Sequence, residues 1–200
     1  FHAETTDRLL VFGSNGRFYT LSAANLPGGR GMGEPLRLMV DLPNEAEIVD
    51  LFIHQPDRKL LVASSAGNGI VVPEADVAAQ TRNGKQVLNV KGKVEALRCV
   101  AVAGEKIATI GDNRKILVYD VEELPVLGRG KGVRLQNFKD GGLKDITTFK
   151  VDEGLQFVDA SGRRNNVTDW ETHMGKRAQA GRMAPRGFAR AGVFAVDKKL

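Results

Sequence analysis

Four short stretches combine glycine with arginine or lysine in a way that suits anion recognition. They are Pro27-Gly28-Gly29-Arg30-Gly31-Met32-Gly33, Thr81-Arg82-Asn83-Gly84-Lys85, Gly128-Arg129-Gly130-Lys131-Gly132-Val133-Arg134 and Gly175-Lys176-Arg177-Ala178-Gln179-Ala180-Gly181-Arg182. Glycine admits positive φ and lets backbone N–H groups approach an anion closely. Arginine and lysine beside those groups suit phosphate oxygens. A single stretch of this kind reads as an ordinary solvated turn. Four of them, each starting 11 to 14 residues after a hairpin turn, are expected to line one edge of a repeated structure and follow a phosphate backbone. Such contacts position a nucleic acid but carry little sequence information. Bending a duplex costs on the order of 1–10 kcal/mol per 20–30 bp, which several distributed contacts would offset.

Other chemistry is poorly supported. His2, His54 and His173 are scattered, and no Cys or His pair has zinc spacing. Gly128–Lys131 lacks the gap and the following Ser or Thr of a nucleotide-phosphate loop. No nucleophile elbow occurs. Asp112 and Asp120 flank one strand and read as turn residues. Trp170, the single tryptophan, is expected to pack under the last repeat, because duplex DNA offers no free base faces. Tyr19 and Tyr119 fall in strands and read as core or edge aromatics. Phe188 and Phe194 are expected either to dock the tail or to be disordered with it.

The elements that must position the loops repeat along the chain. An apolar strand, a turn and a second strand recur at Arg8–Leu21, Lys59–Val72, Lys106–Tyr119 and, more weakly, Leu155–Val167, with equivalent turn positions 16, 67, 114 and 162. Each hairpin carries β-branched and aromatic runs bounded by Gly, Asn, Asp and Ser. After each basic loop come two further strand candidates, Gln86–Val90 and Ala96–Val102 in the second unit, Val133–Phe138 and Ile146–Lys150 in the third. The only helical signal is a short one near Thr168–Met174. Four strands about every 50 residues predict an all-β, propeller-like array of four blades, near 5–55, 56–103, 104–151 and 152–196. One blade cannot bury both faces, so blades must stack. A plain β-sandwich is the alternative.

The formal net charge is +5 and the sequence pI about 9.4, which favours a polyanionic partner. Residues 128–139 and 174–190 carry only basic charge, the latter including Arg186 and Arg190. Asp41, Glu45, Glu47 and Asp50 form an acidic run without a base, expected on the side opposite the loops. The single cysteine, Cys99, cannot form an internal disulfide, which suits a reducing cytosol. No stretch approaches the roughly 20 apolar residues of a membrane span. The start, Phe1-His2-Ala3-Glu4, reads as a cut inside a longer protein. The candidate DNA contacts are Arg17 and Arg30 in the first unit, and Arg82 and Lys85 in the second. The third unit adds Arg114, Lys115, Arg129, Lys131 and Arg134. The fourth adds Arg163, Lys176, Arg177, Arg182 and Arg186.

These features resemble the C-terminal β-pinwheel of type IIA topoisomerase A subunits. The strings Leu60–Gly67, Asp76–Lys85 and Leu124–Gly132, and the run from Gly175 to Gly187, are similar to the topoisomerase IV branch in particular. The resemblance covers residues 5 to about 190. The gyrase branch carries a Gln-Arg-Arg-Gly-Gly-Arg/Lys-Gly box, and Asn25–Gly31 keeps only its Gly-Gly-Arg-Gly half. That box belongs to the first blade, and this chain reads as beginning at the end of such a blade, so the gyrase reading stays open. The resemblance implies a non-catalytic, DNA-bending domain without metal, cofactor or small-molecule substrate of its own. The catalytic tyrosine would lie upstream, and the ATP- and Mg²⁺-dependent ATPase on the B subunit of an A2B2 decatenase that also relaxes supercoils. It implies a bacterial cytoplasmic, nucleoid-associated location, with a peripheral position at the inner membrane as an alternative. A propeller that binds an acidic protein is the rival reading.

Overall fold

The structure, a computed structural model, describes residues 2–188 and 193–195. Its hairpins stand where the apolar runs lie. They are β1 (Arg8–Gly13) with β2 (Arg17–Ser22), β4 (Lys59–Ser64) with β5 (Asn68–Pro73), β8 (Lys106–Gly111) with β9 (Lys115–Asp120), and β12 (Gln156–Val158) with β13 (Arg164–Asn166). All four turns close on an i to i+3 hydrogen bond, such as Gly16 N–H to Gly13 C=O at 2.9 Å. The last turn residue is left-handed in each, with φ of 78° at Gly16, 82° at Gly67, 64° at Arg114 and 81° at Gly162. That is the three-residue hairpin loop whose final position favours glycine.

Each hairpin gains a third strand on its first-strand side: β3 (Ile48–Ile53) beside β1, β7 (Ala96–Ala101) beside β4, β11 (Leu143–Phe149) beside β8, and β15 (Val193–Phe194) beside β12. β3 packs next to β7, β7 next to β11, and β11 next to β15. These third strands therefore face the common axis. The opposite, outer edges of the first three blades are closed by β6 (Lys85–Gln86), β10 (Val133–Arg134) and β14 (Arg182–Met183).

The origin of these outer strands differs from the expectation that a unit supplies its own four strands. β6 pairs with β2, β10 with β5 and β14 with β9, so each outer strand is lent by the following unit to the blade before it. The strands are also two residues long where Gln86–Val90 and Val133–Phe138 were expected. After Gln86 the chain turns inward, and Val87 and Leu88 both donate N–H to the Gly16 carbonyl. Those apolar residues fill the gap between blades instead of extending a sheet. The fourth sheet has three strands among the described residues.

Two-residue periodicity then builds the core. Leu10 and Phe12 point into the cluster shared with Leu60, Val62 and Ile70, while Leu61 and Ala63 point to the next cluster with Ile107, Leu117 and Tyr119. Ala108 and Ile110 face a third cluster with Phe157, Trp170 and Phe188. Because both faces of a hairpin are covered, the strands read as continuous apolar runs, not alternating ones. Each large side chain so buried contributes about 1.5–3 kcal/mol. Tyr19 and Tyr119 are core residues, and burial raises the Tyr119 phenol well above its usual range. Trp170 meets Phe149 edge-on at 5.2 Å, and Phe157 stacks on Phe188 at 4.7 Å. Phe188 and Phe194 are buried, so they dock the tail. The helical signal near Thr168–Met174 becomes a single 3-10 turn, Trp170–His173, and one unexpected α-turn forms at Leu36–Met39.

Candidate nucleic-acid interface

The outer strands carry the basic loops with them. A left-handed glycine precedes each strand: Gly84 at φ 70°, Gly132 at 84° and Gly181 at 78°. A Cβ at Gly132 would lie 2.6 Å from the Gly69 carbonyl oxygen, and one at Gly181 2.4 Å from that of Ile116. Only glycine lets the loop backbone close onto the blade there. The loops 81–85, 128–134 and 175–182 therefore arrive at the same structural position on consecutive blades.

Hydrogen bonds then join them into a band. Asp41 N–H donates to the Arg82 carbonyl at 3.0 Å, Asn89 N–H to Gly130 at 2.8 Å, and Asn137 N–H to Gln179 at 2.9 Å. Each loop is stitched to the segment that follows the preceding loop. Loop 27–33 departs from this pattern. All its residues are exposed, and Cβ atoms added at Gly28, Gly29 or Gly33 would touch nothing within 4 Å.

The candidate cations fall into two groups. Arg129, Lys131, Arg134, Lys176, Arg182 and Arg186 are exposed on or beside this band, and Arg30 is exposed on the separate loop 27–33. Arg129 and Lys131 have no ion pair among the described residues. The others engage protein groups, although Arg82, Lys85 and Arg163 are exposed as well. Arg17 donates from Nε to the Asn83 carbonyl at 3.0 Å and from Nη2 to that of Gly84 at 3.2 Å, clamping the second loop. Arg114 donates to the Phe188 carbonyl at 2.6 Å, and its Nε is buried without a partner. Arg82 binds the Leu38 carbonyl at 2.6 Å and lies 3.7 Å from Asp41. Lys85 donates to the Asp76 carbonyl. Arg177 donates to the Arg134 carbonyl at 2.8 Å, linking the third and fourth loops. Arg163 lies 3.7 Å from Asp159 in the last hairpin turn, and Lys115 is half-buried at the start of β9. Arg190 lies outside the described residues.

The acidic run is not opposite the loops. Asp41 sits on the rim against Arg82, Glu47 pairs with Arg37 at 3.7 Å, and Asp50 is on the axial strand β3. A segment that travels from rim to axis cannot present one face, so its charges are distributed across the blade. Lys91, Gly92 and Lys93, absent from the expected contacts, form an exposed turn following the second loop, with Gly92 at φ 62°. The Lys-Gly-Lys spelling was the available signal.

Away from the rim, Asp145 on β11 accepts from Arg98 Nε of β7 at 3.1 Å and from the Phe194 N–H of β15 at 2.8 Å. One carboxylate thus ties three blades at the axis. Burial raises its pKa, with Arg98 and the backbone donors opposing. No group of three or more His, Cys, Asp or Glu side chains suited to a metal occurs among the described residues. No described helix is long and apolar enough to cross a membrane.

A family model described as the DNA gyrase C-terminal domain, beta-propeller, matches residues 7–55, 58–101 and 105–143. The DNA topoisomerase 4 A subunit of Caulobacter vibrioides is 46% identical over 187 residues, covering 94% of this chain and 24% of that protein. Its counterpart in Rickettsia bellii is 40% identical over 192 residues, 96% of this chain and 26% of that protein. The chain thus spans about a quarter of the length of these curated relatives. The solved E. coli ParC C-terminal domain shares the fold with a TM-score of 0.82 at 24% identity, over 97% of this chain and 83% of that one.

Proposed function

The chain belongs to the DNA gyrase C-terminal β-propeller family, as a C-terminal domain of the type found in topoisomerase IV A subunits, and from that premise we propose that it holds and bends duplex DNA along its outer rim. The observation that carries this reading is the recurrence of the loops 81–85, 128–134 and 175–182 at one position on three successive blades. Their exposed guanidinium and ammonium groups form a curved row of phosphate-binding charge. Arg17 and Arg177 hold the loops in place; Arg129, Lys131, Arg134, Lys176 and Arg182 meet the phosphates.

The rim makes backbone contacts and so selects duplex geometry over sequence. In the parent enzyme this domain positions the transported DNA segment. ATP and Mg²⁺ act elsewhere, on the B subunit and on the domain bearing the catalytic tyrosine, in a bacterial cytoplasmic decatenase.

Titration of the 200-residue chain with random-sequence duplex, followed by fluorescence anisotropy at several salt concentrations, tests the proposal. Log K is expected to fall linearly with log[salt], with a slope near −0.9 for each phosphate neutralised. Absence of binding at low salt would overturn it and favour an acidic protein partner for the same band.

A further inference from the structure

The rim of the second and third blades carries exposed apolar side chains among its cations. On the second blade, Val71 N–H donates to the Pro125 carbonyl at 3.1 Å and Leu127 N–H to the Val71 carbonyl at 2.9 Å, so Val126 pairs with Val71 in a parallel bridge. On the third, Gly175 N–H donates to the Val118 carbonyl at 2.9 Å, and Met174 forms the same bridge to Val118. Val71 and Val118 stand at one position of their hairpins, four residues after the left-handed turn residues Gly67 and Arg114. Val126 and Met174 therefore occupy one place on successive blades. They are 51% and 40% exposed.

A cation follows each of them within three residues, Arg129 after Val126 and Lys176 after Met174. The returning arm of each loop repeats the combination. Val133-Arg134 pairs with β5 and Arg182-Met183 with β9, and Met183 is 58% exposed. Leu127, 45% exposed, lies beside Gly130, where an added Cβ would be 3.8 Å from Leu127 Cδ1. The first blade has smaller residues in this region: Ala79 follows Ala78, and its N–H donates to Thr20 Oγ1 at 2.8 Å. Single exposed apolar residues are ordinary on a protein surface. These recur at one position and are bordered by exposed guanidinium and ammonium groups.

A nucleic-acid strand alternates in the same way, with anionic phosphates separated by sugar rings whose C–H edges are apolar. We infer that Val126, Leu127, Met174 and Met183 pack against deoxyribose between the phosphates held by the neighbouring cations, and so favour DNA over RNA. The inference rests on the proposed binding of duplex DNA along this rim. A ribose 2′-hydroxyl pressed onto Val126 or Met174 loses water and gains no hydrogen-bond partner, which disfavours RNA. Contact with a sugar releases no counterion, so it adds affinity that does not vary with salt.

Anisotropy titrations of the chain with a DNA duplex and an RNA duplex of the same sequence, each over a range of salt, test this. The unsubstituted chain is expected to bind the DNA more tightly. Replacing Val126, Met174 and Met183 together by Ser is expected to weaken DNA binding by about tenfold at every salt concentration, with the slope unchanged and RNA binding little affected. Val151→Ser, a control 45% exposed just beyond the axial strand β11, is expected to leave DNA binding as it was. Unchanged DNA affinity in the triple variant would overturn the inference and leave the cationic contacts standing. A changed slope, or an equal loss for RNA, would overturn it too. A dimer in sedimentation that the triple variant breaks would assign these side chains to a second copy and overturn it equally. Failure of the unsubstituted chain to bind DNA would remove the underlying reading as well.

Discussion

Gly16 occupies a position where an added Cβ would lie 1.9 Å from the Leu88 carbonyl oxygen, at a φ of 78°. The contact is with backbone and cannot relax by rotating a side chain. Gly16→Ala is therefore expected to destabilise the domain by about 2 kcal/mol or more. Gly28→Ala, in open space, is expected to stay within about 0.5 kcal/mol of the parent. Urea denaturation of the two variants checks the contrast. His173 offers a second test. It is buried, its Nδ1 has no partner, and burial lowers its pKa below the ordinary value, with hydrogen bonds to the Ile116 and Arg182 backbone opposing. Its folded pKa lies below its unfolded one, so its contribution is fully present above about pH 6.5 and is lost as the pH falls from there through the folded value. The melting temperature is expected to drop as the pH falls from about 6.5 to 5, and to drop less in His173→Gln. An equal drop in the two proteins would remove His173 as the cause.

At the scale of the element, the proposed function divides the loop residues into contacts and supports. Replacing Arg129, Lys131 and Arg134 together by Ala is expected to weaken duplex binding and reduce the magnitude of its salt slope by about 2–3. Weaker binding with an unchanged slope would contradict their assignment to phosphate. Arg17 behaves differently, because its guanidinium is engaged by the Asn83 and Gly84 carbonyls. Arg17→Ala is expected to raise hydrogen exchange across 81–86 while changing the slope by less than about 1, since the charge it removes faces the loop. Both experiments address the same band from its two sides.

For the whole molecule, stability rests on interfaces between blades, each a shared apolar cluster. The last interface has an added polar tie at Asp145. Asp145→Ala would leave the Phe194 N–H without its acceptor, while the 40% exposed Arg98 guanidinium keeps water, at a cost of about 1–3 kcal/mol. The β15 segment is expected to become the first site of limited proteolysis in that variant. If cleavage stays at loop 27–33, the tie does not govern docking of the last blade. Because neighbouring blades exchange strands, unfolding is expected to spread from one blade to the next instead of ending at a boundary.

Much of this was legible in the residues. The runs Leu9–Phe12, Leu60–Ala63 and Ile107–Ile110 name the hairpins, since only a sheet covered on both faces needs continuous apolar sequence. Gly84, Gly132 and Gly181 marked the loop ends because left-handed backbone selects glycine locally. Which hairpin receives β6, β10 or β14 was not legible, because a two-residue strand carries no pattern that distinguishes its own unit from the previous one. The engagement of Arg17 and Arg114 with backbone carbonyls was equally hidden, as was the rim position of Asp41. These are contacts between residues as much as 74 positions apart, and a linear sequence holds no distance across that separation. Local conformation and repeat period were thus determined by the sequence itself. The exchange of strands, and with it the alignment of the cationic loops on one rim, was decided only when the blades packed.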